Sequence, residues 1–418
     1  MKSWTFLQKH TSIRVSTHYS LMDLKIIIPI IVIQFVISWK TCIMADLSLS
    51  READLQLERQ LKTLNKPAIK TFKTQEGDTI DCVDINKQPA LDHPLLKNHK
   101  VQTRPVTFPT GSAKKSSKSK TSYIRHERES CPDGTVPIRR TSKEDLIKAG
   151  SMPKESMTQI GPQTSFPAGH RFHTVNVGMK KDVPYFGVDG RLEVWNLTVA
   201  KDQYSFTNMW IQNGPPDQLN VILAGWTVSP AINGDQLTRL FTFWTADGAR
   251  TTGCYNQLCP GFVLTNCSIT PNYPLLLTST YEEQYDIKIL IYQDQPTGNW
   301  WLVLSDDNVF VGYWPKELFN HLSGGAETVA WGGIAIAGKN GVSPPMGSGL
   351  LNLSFRSTCY IRNIQYVDTQ NKFRNPDGAL EQHLDRSTCY GLKDWKNCGR
   401  KEMYYCILFG GEGGRCGD

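Results

Sequence analysis

The alternation of apolar and polar residues changes character along the chain. Near the front, Ile26 to Trp39 is a 14-residue apolar run broken by Pro29 and Gln34, shorter than the roughly 20 residues a bilayer-crossing helix needs. Lys25 precedes it, and Ile43-Met44-Ala45 follows with a small residue at a cleavage position. This is the layout of a secretory signal peptide over 1–45. Met22 offers an alternative start, and an uncleaved single-pass signal anchor is the alternative reading. Between Ser50 and Leu64, the stripe Leu55, Leu57, Leu61, Leu64 predicts a helix that Ser48 or Ser50 caps and Pro67 stops. Thr141 or Ser142 caps a second short helix reaching Ala149. From His170 onward the helical period disappears. Short runs follow, separated by Gly, Pro, Asn and Asp: Leu192–Val199, Phe206–Gln212, Val221–Val228, Leu240–Thr245, Tyr285–Gln293, Trp300–Leu304, Val309–Trp314, Thr328–Ile336 and Tyr360–Val367. Many short strands with turn signals predict an all-β, antiparallel β-sandwich over 165–418, preceded by a small α+β segment over 46–160.

Charge divides the chain in the same way. Residues 1–50 sum to +3, 51–160 to +7 and 161–418 to −3, giving the total of +7 over 418 residues. That balance is too mild for a dedicated nucleic-acid binder. The most basic stretch, 110–122, sets four Lys among seven Ser or Thr with no interleaved aromatics. It reads as a flexible linker and lacks the stacking residues of a nucleic-acid site. Ser151 to Pro167 is polar, punctuated by Pro and Gly, and without period. A processing boundary belongs there, with Lys154 to Gly169 the expected place for a cut.

Of 11 cysteines, Cys42 lies in the leader, and the remaining ten suit a disulfide framework in an oxidising compartment. Sequons at Asn196, Asn266 and Asn352 agree with export as a glycoprotein. Cys254 and Cys259 have no His at finger spacing, and His170 and His173 have no third ligand nearby in sequence. No metal site and no cofactor are expected.

Several blocks resemble the plant neprosin family. They are Gly225-Trp226-Thr227-Val228-Ser229-Pro230, the run from Arg239 to Gly248, Gly253-Cys254-Tyr255-Asn256-Gln257-Leu258-Cys259-Pro260-Gly261-Phe262, Gly312-Tyr313-Trp314-Pro315, Trp331-Gly332-Gly333 and Met346-Gly347-Ser348-Gly349. The front half resembles that family's activation peptide at Asp81-Cys82-Val83-Asp84-Ile85, His93-Pro94-Leu95-Leu96 and Cys131-Pro132-Asp133-Gly134. The resemblance implies a secreted zymogen with a β-sandwich peptidase domain. The family's members are glutamic endopeptidases that cleave after proline in acid. It also implies the disulfides Cys82–Cys131 and Cys254–Cys259. The pairing of Cys267, Cys359, Cys389, Cys398, Cys406 and Cys416 stays open among 15 connectivities.

In that family two glutamates act together, one carboxylate activating water while the other stabilises or protonates the tetrahedral species. One lies two residues before the Gly-Trp pair and the other follows Trp-Gly-Gly. Here these positions are Leu223 and Ile334, and neither can move a proton. Strand alternation puts Leu223, Gly225 and Thr227 on one face and Ile222, Ala224, Trp226 and Val228 on the other, while Ile334 shares its face with Gly332 and Ile336. Gly225, Trp226, Thr227, Trp331, Gly332 and Gly333 are expected to line the groove. The expectation is a pseudo-peptidase outside the cell, in the cell wall or apoplast, with no membrane attachment after leader cleavage. Its partners would be proline-containing peptides, extracellular glycoproteins and its own pro-segment. The alternative is an active acid prolyl endopeptidase that uses a displaced carboxylate among Asp235, Asp247, Glu282, Glu283, Asp286, Glu317 and Glu327.

Overall fold

A computed structural model describes residues 51–111, 120–121, 129–158, 172–304, 307–352, 354–378, 380–396, 398 and 404–416. The expected leader, most of the 110–122 linker and most of the expected cut region lie outside these residues. The chain divides into two compact units, 1–58 and 59–418. In the first, 51–58 is helical. In the second, 59–64 is helical and Leu64 is buried before Pro67. Among the described residues, no helix is long and apolar enough to cross a membrane.

The strands run in chain order as follows. In the front part of the second unit are β1 (Lys70–Lys73), β2 (Thr79–Asp84), β3 (Lys120–Thr121) and β4 (Thr135–Arg139). The body begins with β5 (Phe172–Tyr185), β6 (Gly187–Glu193), β7 (Tyr204–Asn213), β8 (Asn220–Val228), β9 (Arg239–Thr245), β10 (Cys254–Tyr255) and β11 (Val263–Leu264). It continues with β12 (Tyr285–Asp294), β13 (Asn299–Leu304), β14 (Val309–Trp314), β15 (Ala326–Ile336), β16 (Tyr360–Val367), β17 (Phe373–Arg374), β18 (Glu381–Leu384), β19 (Gly391–Asp394) and β20 (Cys406–Gly410). The expected strand over Leu192–Val199 is a correction: β6 ends at Glu193, where β12 begins, and beyond it the Val194 N–H donates to the Tyr285 carbonyl while its carbonyl accepts from the Ser279 N–H.

Two sheets face each other. One has the order β10-β9-β8-β7-β15-β5-β18. The other runs β11-β14-β13-β12-β6-β16-β20-β19, with β17 beside β16 and β3 beside β12. Alternate residues of the first (Val175, Val177, Met209, Ile211, Trp226, Trp331) meet alternate residues of the second (Val188, Leu192, Ile289, Ile291, Leu302, Ile361) in one core, the packing of a β-sandwich. A bulge in β16 between Arg362 and Gln365, with Asn363 at φ 53°, lets Ile361 and Ile364 both point inward. Trp226 Nε1 donates to the Glu193 carbonyl at 2.9 Å, and Trp331 Nε1 donates to the Asp189 carbonyl at 3.1 Å. These are hydrogen bonds from one sheet to the other.

The front segment is built into the body. Its sheet, ordered β1-β2-β4, sends Val83, Val136 and Ile138 into the same core cluster, and Leu96 joins them. The helix Lys143–Ser151 starts on a capping box in which Ser142 and Asp145 satisfy each other's backbone. Gln88 pairs with Leu264 as a strand would, donating to its carbonyl at 3.1 Å and accepting from its N–H at 2.7 Å. Asp294 on β12 accepts from Gln102 Nε2, the Val106 N–H, and the Thr107 N–H and Oγ1 at 2.9–3.0 Å. Phe108 packs edge-on against Tyr292 and Phe310. Asp78 accepts from Arg139 Nε at 2.8 Å and from the body's Arg239 Nη1 at 2.7 Å.

Among the described residues four disulfides are formed: Cys82–Cys131, Cys254–Cys259, Cys389–Cys416 and Cys398–Cys406. Cys267 and Cys359 are free thiols, which corrects the expectation that all ten would pair.

Three buried carboxylates make stability depend on pH from both sides. Burial alone would raise Asp78 and Asp294. The arginines around Asp78 and the front-segment donors around Asp294 outweigh it, so both sit below the usual carboxylate value. A depressed folded pKa gives stability that is present above the unfolded value and lost as pH falls through the folded one, below about 4. Thermal melts from pH 6 down to 2.5 should therefore lose Tm steeply, and Asp78→Asn or Asp294→Asn should start lower and flatten that loss. Unchanged slopes would show that these contacts do not hold the front segment. Glu193 has the opposite sign. Burial holds its acid form well above the ordinary value, and Oε2 accepts the Tyr360 N–H at 3.2 Å. Its contribution is complete below about 4.3 and lost as pH rises through the folded pKa. Glu193→Gln should therefore lose less Tm than the natural chain on the alkaline side.

Candidate functional site

The positions where the resemblance places glutamates lie on the face of the β9-β8-β7-β15-β5 sheet turned away from the sandwich core. Directly opposed residues share a face, so the register writes this surface as rows. One row is Phe243, Leu223, Trp210, Ala330. The next is Phe241, Gly225, Asn208, Gly332, Asn176. The third is Arg239, Thr227, Phe206, Ile334, Thr174. Leu223 and Ile334 are thus two of the four diagonal neighbours of Asn208, one strand to either side, and diagonal neighbours on a sheet lie about 7–8 Å apart. The two positions stand on opposite sides of Asn208, Leu223 in the row before it and Ile334 in the row after it.

Gly225 and Gly332 flank that asparagine because nothing larger fits. A Cβ at Gly225 would stand 2.0 Å from the Thr207 carbonyl oxygen, and one at Gly332 would stand 2.1 Å from that of Val175. The middle row is consequently bare backbone on both sides of Asn208. The first row is apolar throughout, and the third sets Phe206 and Ile334 between Thr227 and Thr174. Leu223 and Ile334 are 0% exposed and belong to one cluster with Phe206, Trp210, Phe241, Phe243 and Tyr255. Met152 and Met157, from the front segment, complete this cluster. Burial pushes the Tyr255 phenol well up, with Tyr204 and Asp145 adding to the shift, so it stays neutral.

The polar side chains of the middle row are two asparagine amides. Asn176 and Asn208 are fully buried, and neither amide nitrogen nor amide oxygen of either finds a partner among the described residues. Unpaired buried amides are costly, about 1–3 kcal/mol each. At the Ile336 end, a cleft of about 940 Å³ opens between the front segment and the body, with Phe172, Tyr204 and Ile336 on its apolar wall and Lys148, Lys201 and Lys339 around it.

The structure divides the six expected groove residues. Gly225, Thr227 and Gly332 lie on the site face, with Thr227 Oγ1 donating to the Ser205 carbonyl at 3.0 Å. Trp226, Trp331 and Gly333 are corrections. Both indoles fill the inter-sheet core, and a Cβ at Gly333 would meet Met346 and Phe409, which are core residues. Period-two alternation requires this, since each is one residue out of phase with Leu223 or Ile334. Asn176, Asn208 and the aromatic rows were missed. Their apolar–polar alternation was visible, but their placement beside Leu223 and Ile334 depends on register between distant strands.

None of the displaced carboxylates stands in the register rows of Leu223 and Ile334, although Asp235 lines the cleft at the Ile336 end. Asp235 is paired with Arg239, and Asp247 is bonded by Thr251 and Thr252. Glu283 accepts from the Tyr285 hydroxyl, and Glu282 is exposed. Asp286 is clamped by Arg191 and Arg362 on the far face of the other sheet. Glu317 faces His99 at 3.6 Å, and Glu327 pairs with Lys180. Among the described residues, no group of three or more His, Cys, Asp or Glu is placed to hold a metal ion. Asn196 and Asn352 are exposed and Asn266 half-buried.

Comparison with known proteins matches residues 201–412 to the Neprosin family and residues 71–176 to the Neprosin activation peptide. Among solved structures, a scytalido-glutamic peptidase with a peptide-based transition-state analogue is similar at 9% identity and a TM-score of 0.30, covering 58% of this chain and 98% of that one. SCP-B, a member of the eqolisin family of peptidases in complex with a tripeptide, is similar at 9% identity and a TM-score of 0.29 over the same shares. The family match spans half the chain, follows the order of the motifs and includes both site strands, β8 and β15. The chain belongs to the neprosin family and carries that family's activation peptide ahead of its peptidase-type domain.

Proposed function

We propose that this protein is a secreted neprosin-family zymogen in architecture and a pseudo-peptidase in chemistry, whose site face binds proline-containing peptides or extracellular glycoproteins. The observation that carries this reading is the burial of Leu223 and Ile334 inside one aromatic and aliphatic cluster. A glutamic peptidase needs one group to deprotonate water and another to stabilise the oxyanion. Two aliphatic side chains supply neither, and no carboxylate stands in the rows that Leu223 and Ile334 occupy. Binding requires less. Phe206, Trp210, Phe241 and Phe243, buried in the intact chain, would offer flat apolar surface to proline rings once the front segment with Met152 and Met157 is withdrawn. The Asn176 and Asn208 amide nitrogens are donors for carbonyl oxygens, which proline-rich chains present in excess because proline has no N–H. Export is supported by four disulfides and the three sequons.

The test uses the full chain, intact and after limited proteolysis between Thr158 and Phe172, with a proline-containing peptide in mild acid. Peptide cleavage should stay at the no-enzyme rate, while Trp fluorescence should change saturably with peptide in the cut form. Turnover above background would restore the displaced-carboxylate reading. Single Leu223→Glu or Ile334→Glu variants of the intact chain should lose about 3 kcal/mol or more at neutral pH and recover part of it in acid, because each places an unpaired carboxylate in an apolar cluster. A melt showing no penalty would mean the cluster is wetter than its burial implies. Turnover gained by the cut double variant would show a site lacking only its acids.

A further inference from the structure

Three cysteines, not two, meet where the activation-peptide part touches the body. Cys82 and Cys131 are bonded to each other in the front segment, and Cys267, in the loop after β11, packs against the buried cluster they form with Ile80. The Cys131 N–H donates to the Cys267 carbonyl at 2.9 Å. With standard bond lengths, that hydrogen bond caps the separation of the two Cα atoms at about 6.8 Å, inside the range a disulfide spans. The loop is held in place, since Asn266 Oδ1 accepts the N–H groups of Ser268 at 2.8 Å and Ile269 at 2.9 Å. Cys267 is half-buried and keeps access to solvent. The other free thiol, Cys359, is fully buried in the sandwich core, and burial and then Glu193 push it well up. Cys359 is therefore inert, and Cys267 is the thiol positioned to react.

We propose that Cys267 exchanges with the Cys82–Cys131 disulfide and so staples the activation-peptide segment to the peptidase-type domain. The Cys267 thiol gives its proton to solvent, and its thiolate attacks Sγ of Cys131. The Cys131–Cys267 bond forms as the Cys82–Cys131 bond breaks, and Cys82 leaves as a thiolate that takes a proton back. One disulfide and one thiol enter, one of each leave, and no oxidant is consumed. The two registers differ in consequence. With Cys82–Cys131, a chain cut between Thr158 and Phe172 leaves the front segment held by non-covalent contacts alone. With Cys131–Cys267, the same cut leaves it covalently attached, with its hydrophobic residues still in the shared core. The inference stands on the three sulfurs and does not depend on the proposed function.

The experiment follows the bonds directly in the natural full chain. The protein is held at pH 8 without added thiol, sampled over hours, quenched in acid with N-ethylmaleimide, digested without reduction and mapped by mass spectrometry. The expected result is a Cys131–Cys267 linked peptide whose yield grows with time and is smaller at pH 5, matched by label appearing on Cys82. In Cys267→Ser this species should be absent. A parallel sample cut between Thr158 and Phe172 should show, on a denaturing non-reducing gel, a fraction of front segment still joined to the body and released by dithiothreitol. Label confined to Cys267 at every time point, with Cys82–Cys131 intact and the cut pieces separating without reductant, would overturn the proposal.

Discussion

The two indole hydrogen bonds that cross the sandwich hold the phase of everything around them. Trp226 and Trp331 reach from the seven-stranded sheet to the carbonyls of Glu193 and Asp189 on β6. A buried indole N–H left unpaired is expensive, so each ring is held in its slot by polarity as well as by volume. Because side chains alternate along a strand, fixing Trp226 inward fixes Leu223 and Gly225 outward, and fixing Trp331 inward does the same for Gly332 and Ile334. A one-residue slip would turn the whole aromatic row into the core and expose both tryptophans. The flanking glycines follow from the same constraint, since the strands press so close at that level that a Cβ would strike a neighbouring carbonyl.

On this scaffold the activation-peptide part is less a cap than a share of the interior. Val83, Val136 and Ile138 enter the sandwich core, Met152 and Met157 close the site face, and the strap around Phe108 covers aromatic residues of the opposite sheet. Polar latches accompany the apolar ones. Asp78 lies between Arg139 and Arg239, and Asp294 grips two consecutive backbone N–H groups of the strap. Basic charge in the front half and slight acidity in the body give the two parts long-range attraction as well. Separating them would expose apolar surface on both faces of the sandwich, so removal of the front segment carries a hydrophobic penalty beyond the breaking of ion pairs.

Leu223 and Ile334 fit the surface they occupy. In a row of Phe243, Trp210 and Ala330, and beside Phe206, an aliphatic side chain continues the apolar packing, whereas a carboxylate would need solvent or a partner. What stays polar is the pair of asparagines in the glycine notch, neutral at every accessible pH and able to both donate and accept. The face thus sets amides in the glycine notch between rows that carry aromatic rings.

Sequence alone determined much of this. Alternating runs marked β7, β8, β9, β12, β13, β14, β15 and β16 almost residue for residue, because each buries one or both faces and period-two patterning is then unavoidable. The helix after Ser142 announced itself through its cap. The Gly-Trp and Trp-Gly-Gly motifs fixed which residues stand at the two site positions. The long strand β5 was missed, because Thr174, Asn176, Gly178 and Lys180 alternate with the residues it turns to the sandwich core and dilute the apolar signal. Trp226 and Trp331 were assigned to the groove by adjacency to the motif, although alternation required them to point inward. Only the tertiary structure decided the pairing of the last cysteines, the amide pair under the site and the meeting of Cys267 with Cys82 and Cys131. Each depends on strands or loops far apart in sequence, and contact between such residues is set by sheet register and packing rather than by local pattern.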